Sequence, residues 1–75
     1  MPVTSAIVEV TEGSCEAVMS SLAKISNLSV FAIKENQIVT VIEGDSLQEV
    51  EETMKGLYAL DNVIGVFPVY AGDYE

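Results

Sequence analysis

The hydrophobic pattern divides the chain into six elements. Residues 3–10 are rich in β-branched side chains and alternate imperfectly, with Ala6, Val8 and Val10 on one side and Ser5, Ile7 and Glu9 on the other, which predicts a strand. Thr11-Glu12-Gly13-Ser14 reads as a turn whose last residue can cap a helix. Cys15, Val18, Met19, Leu22 and Ile25 then recur on one helical face, predicting a first helix that stops near Ser26-Asn27. Residues 28–34 are strand-like again, and Glu35-Asn36 supplies a short turn with an Asn that tolerates left-handed backbone. Residues 37–43 contain the strongly β-forming run Ile38-Val39-Thr40-Val41-Ile42. These two segments should pair as a hairpin.

Gly44-Asp45 leads into a capping box, Ser46-x-x-Glu49, followed by Leu47, Val50, Met54 and Leu57 at helical spacing, with Glu51 and Lys55 placed as an i,i+4 pair. Asp61-Asn62 ends this second helix. Residues 63–70 form a last strand containing Pro68, and because proline cannot donate to a ladder, that strand belongs at a sheet edge. The order βαββαβ predicts an α+β, ferredoxin-like domain: a four-stranded antiparallel sheet with two helices on one face, strands one and three central, strands two and four at the edges. Residues 71–75 read as a short polar end.

Two helices cover only one face of such a sheet. With Ala6, Val8, Val30, Ala32, Val39, Val41, Ile64 and Val66 assigned to the helices, alternation puts Ile7, Phe31, Ile33, Ile38, Thr40, Ile42, Phe67 and Val69 on the other face, with Glu9, Ser29 and Glu35 at its margins. That surface is more apolar than a solvent-facing sheet should be, and a binding surface is the natural inference. Its acidic rim selects for a ligand that is apolar in the middle and positive at one end, such as a basic amphipathic or hydrophobic peptide, with Glu9 first and Glu35 second as partners for arginine. The competing accounts are a parity error in strand two or three and a homodimer contact.

Length and charge sharpen this. Seventy-five residues, 49% hydrophobic and 20% charged, make one domain over residues 1–75. A chain of this size buries only about 60% of its unfolded surface. Three Lys, no Arg and no His against twelve acidic residues give a net charge of −9, which disfavours nucleic acid and anionic membranes and favours a cationic partner. A His-based metal site or pH switch is excluded. The longest apolar run is too short to span a bilayer and the start lacks a signal-peptide pattern, so a cytoplasmic protein without membrane insertion is expected.

Lone Cys15 sits on the apolar stripe of the first helix and reads as a core residue rather than a reactive thiol. Glu49, Glu51 and Glu52 read as a solvated helix face rather than an arginine dock, and Glu43 and Asp45 as charges suited to a helix start. Tyr70 reads as packing and Tyr74 as tail. No nucleophile and base pair, ligand cluster or phosphate loop is present, so no enzyme, metal or cofactor is expected.

Three segments carry a resemblance: residues 5–10, Ser5-Ala6-Ile7-Val8-Glu9-Val10; residues 37–45, from Gln37 to Asp45; and residues 63–70, from Val63 to Tyr70. In their order and spacing the chain resembles the NapD family, small cytoplasmic chaperones for the periplasmic nitrate reductase, over nearly its whole length. The resemblance implies a ferredoxin-like fold that binds the twin-arginine signal peptide of a molybdenum-containing nitrate reductase and delays export until the cofactor is loaded. The chain departs from the family pattern at Ala71, where His is common, and at Phe67-Pro68, where a polar-apolar pair is common. The alternative reading is an ACT-like small-molecule-sensing or dimerisation domain, for which Gly13 in the loop after strand one is the relevant feature.

Overall fold

The computed structural model describes residues 2–73, with side chains described for residues 2–69. The elements run β1 (Pro2–Val10), α1 (Cys15–Leu22), β2 (Leu28–Lys34), β3 (Gln37–Glu43), α2 (Leu47–Tyr58) and β4 (Val63–Asp73). The strands form one antiparallel sheet in the order β2-β3-β1-β4. The expected ferredoxin-like arrangement is present, and the strand with Pro68 is at an edge.

The core lies between the sheet and the helices. Ala6, Val8 and Val10 from β1, Ile38 and Ile42 from β3, Val66 from β4, Val18 and Leu22 from α1, and Val50 and Leu57 from α2 form one buried cluster, with Cys15, Met19 and Val30 packed against it. Cys15, expected as a buried core residue, is partly buried and packs against this cluster. Ser46 caps α2 by accepting from the Glu49 amide at 3.2 Å, and the Glu49 carboxylate reaches back one residue further than the usual box, to the Asp45 amide at 3.3 Å.

Residues directly opposite each other in an antiparallel ladder share a face, so the register decides which side chains the helices cover. Val8 pairs with Ile38, Ala6 with Thr40 and Thr4 with Ile42. Ile38, Thr40 and Ile42 are 0% exposed beneath the helices, which corrects their expected place on the uncovered face, and Val39 and Val41 point the other way. The reason is that all five residues of that run are β-formers and four are apolar, so alternation carries no polarity signal. The larger Ile side chains fill the core, and the one polar residue, Thr40, is accommodated there because its hydroxyl donates to the Ala6 carbonyl at 2.9 Å.

A bulge corrects β2 as well. Val30 pairs with Thr40 but Ala32 pairs with Val39, leaving Phe31 as the extra residue. The phase therefore slips: Ile33 pairs with buried Ile38 on the helix side, half exposed at the edge, and Ala32 moves to the uncovered face. In β4 a second irregularity leaves Ile64 exposed instead of under the helices, while Val63 packs on the core.

Smaller corrections concern ends and turns. α1 stops at Leu22 rather than near Ser26, and Ser14 stands at its N-cap without a side-chain cap bond, its backbone (φ −102°, ψ 5°) lying outside the extended region and its hydroxyl paired with Thr11 Oγ1 at 2.6 Å. In the hairpin turn Glu35, not Asn36, takes the left-handed conformation, with φ of 56°. Residues 71–73 are not a loose end, since β4 continues through Asp73, opposite Pro2. The Tyr70 side chain and Tyr74 lie outside the described residues.

Candidate functional site

The uncovered face is built on the odd positions of β1. Ile7 stands between Val39 of β3 and Phe67 of β4, and Ser5 stands beside Val41. Ser5, Ile7, Phe31, Val39, Val41 and Val69 line an apolar depression of about 290 Å³. Phe31 is 80% exposed, Val69 63% and Phe67 52%, so large apolar side chains meet water here, with no covering element among the described residues.

One end of this face is acidic, and backbone hydrogen bonds make it so. The Val10 amide donates to the Asn36 carbonyl and the Thr11 amide to the Asn62 carbonyl, both at 2.9 Å. These bonds pin the β2–β3 turn and the start of β4 on either side of the end of β1. Glu35 (φ 56°) and Asn62 (φ 71°) take the left-handed backbone in these two segments, and Gly13 (φ 81°) takes it in the turn between β1 and α1. The result is a polar cleft of about 320 Å³ whose lining includes Glu9, Glu12, Glu35, Gln37 and Ile64. Glu9, Glu12 and Glu35 make its lining acidic, with Glu9 belonging also to the edge of the apolar face.

Of the residues expected from sequence, Ile7, Phe31, Phe67 and Val69 share the uncovered face, and Glu9 and Glu35 meet in the cleft at its end. Ile33, Ile38, Thr40 and Ile42 do not belong there. The residues missed are Val39, Val41 and Ala32 on the face and Glu12 and Ile64 in the cleft. The greater bulk of Ile over Val was the available signal for β3. For Glu12 there was none, because its nearness to Glu35 depends on how the turns dock.

On α2 the exposed large apolar side chains, Leu47 and Tyr58, stand at opposite ends of the helix. Glu51 and Glu52 are exposed on α2, and Glu49 is used in its cap. Among the described residues no helix is long and apolar enough to cross a membrane. No group of three or more His, Cys, Asp or Glu side chains is placed to hold a metal ion among those residues.

The model of the NapD protein family matches residues 1–73. The chain belongs to the NapD family. The solution structure of the E. coli Tat proofreading chaperone NapD superposes on it with a TM-score of 0.85 at 19% identity, covering 97% of this chain and 79% of that one. Among curated proteins, none matches. Family membership therefore rests on nearly the whole chain, and the likeness to the E. coli protein extends the agreement to the fold.

Proposed function

We propose that this NapD-family chain is a cytoplasmic Tat proofreading chaperone, without catalysis of its own, that binds the twin-arginine signal peptide of a molybdenum-containing periplasmic nitrate reductase and holds it back from export until the cofactor is loaded. The observation that carries the reading is the adjacency of two surfaces. An apolar depression lined by Ile7, Phe31, Val39, Val41 and Val69 lies on the same face as Glu9, two residues along β1 from Ile7, and Glu9 lines a separate cleft with Glu12 and Glu35. A twin-arginine signal peptide has the matching order, two guanidinium groups beside a hydrophobic stretch. The apolar stretch supplies contact area, the carboxylates supply register and attraction, and masking of both keeps the peptide from the export machinery. Family membership and the likeness to the E. coli Tat proofreading chaperone support the same reading.

No observation favours the ACT-like alternative. A second copy of the chain is the competing occupant of the face, but the net charge of −9 opposes bringing two acidic clefts together, whereas a dicationic peptide relieves it. Calorimetric titration with a nitrate reductase signal peptide tests the proposal. Saturable 1:1 binding that weakens when both arginines become lysines is expected; no binding, or self-association that displaces it, overturns the reading.

A further inference from the structure

Gly65 and Phe67 form a unit that the apolar depression does not account for. A Cβ on Gly65 would lie 2.7 Å from Phe67 Cε2 and 2.8 Å from Cζ, so the ring is folded back along β4 into the space that any other residue at 65 would occupy. Gly65 stands directly opposite Glu9, on the same face as the Ile7–Phe67 pair. Opposed Cβ positions in such a ladder are about 5 Å apart, which places the ring edge beside the base of the Glu9 side chain. Pro68 restricts Phe67 to extended backbone and so limits how the ring can turn away.

We propose that the Phe67 ring, laid over Gly65 beside Glu9, is the arginine-selecting element of this face. One guanidinium of the peptide lies against the ring while donating to the Glu9 carboxylate. This rests on the peptide-chaperone reading above and adds to it the residue that tells arginine from lysine. A planar guanidinium can stack on an aromatic face and still present its fork to a carboxylate. A lysine ammonium is a compact, strongly hydrated charge and must give up more water to do both. Glu9 alone would attract either cation; the ring supplies the preference.

Calorimetry with two peptides, Arg-Arg and Lys-Lys versions of the same signal sequence, reads the preference directly. Phe67→Leu keeps an apolar side chain but removes the π face, and Gly65→Ala keeps the ring but pushes it off its seat. Both should lower the Arg-over-Lys affinity ratio about two- to fivefold, the size of a partly exposed cation–π contact, with thermal midpoints near that of the wild type. In the wild-type complex the arginine side-chain protons should shift upfield in NMR spectra, and the shift should vanish with Phe67→Leu. Equal weakening of both peptides by Phe67→Leu, with the ratio unchanged, would overturn the proposal and leave the chaperone reading intact. Failure of the Arg-Arg peptide to bind the wild type would overturn both. Should Gly65→Ala not fold, Phe67→Leu decides alone.

Discussion

Replacing Ile38 by Ala removes three carbon groups from a side chain with no solvent contact, on a central strand within the buried cluster. At about 0.8 kcal/mol for each buried methylene the transfer loss is about 2.4 kcal/mol, and the cavity left behind brings the expected cost to about 3–4 kcal/mol. A domain of this size is stable by only about 4–11 kcal/mol, so the change should remove a large part of its stability and lower Tm by roughly 12–30 °C. Its neighbour Val39 provides the internal control. Val39 is half-buried on the uncovered face, and Val39→Ala should cost no more than about 1 kcal/mol. Urea unfolding followed by far-ultraviolet circular dichroism measures both. Comparable losses at the two positions, or a greater loss at 39, would refute the assignment of β3 and the binding face with it.

Ile7→Asp and Phe67→Asp should each abolish peptide binding, a loss of more than about 2 kcal/mol, while leaving circular dichroism and Tm nearly unchanged; unfolding of either variant would assign that residue to the core. Association measured by stopped flow should slow as salt is raised, because a chain of net charge −9 steers a dicationic peptide and the Debye length at physiological ionic strength is about 8 Å; an on-rate independent of salt would remove steering from the account. Glu35→Gly should stabilise the free protein by about 0.5–1 kcal/mol, since a glutamate at φ of 56° is strained where glycine is not, and a lower Tm would contradict this.

The architecture was legible because each element announced itself locally. Ser46 with Glu49 marked the start of α2, Pro68 marked an edge strand, and Ala6, Val8 and Val10 gave β1 one apolar side. The candidate face was half legible for a physical reason. Alternation assigns parity only where one side of a strand is polar, which holds for Glu9 in β1 but for nothing decisive in the run 38–42. There a buried threonine inverted the expected sign. In β2 the bulge at Phe31 kept that residue on the uncovered face and sent Ile33 to the other, and nothing in a regular two-residue period foretells an extra residue. Glu9 and Glu35 were expected only as acidic margins of the apolar face; that they line one cleft with Glu12 depends on two backbone hydrogen bonds that dock the turns against the end of β1.

The central claim is that a peptide lies across the uncovered sheet face with its cationic end at the tip of β1. Titrating isotopically labelled protein with a twin-arginine signal peptide, and following backbone and methyl chemical shifts residue by residue, tests it most directly. The largest changes should fall on Ile7, Glu9, Val39, Val41, Phe67 and Val69, extending to Phe31 and Glu35, with Val18, Leu22, Val50 and Leu57 little affected. Changes concentrated on the exposed surfaces of α1 and α2, with the sheet face unmoved, would contradict the account.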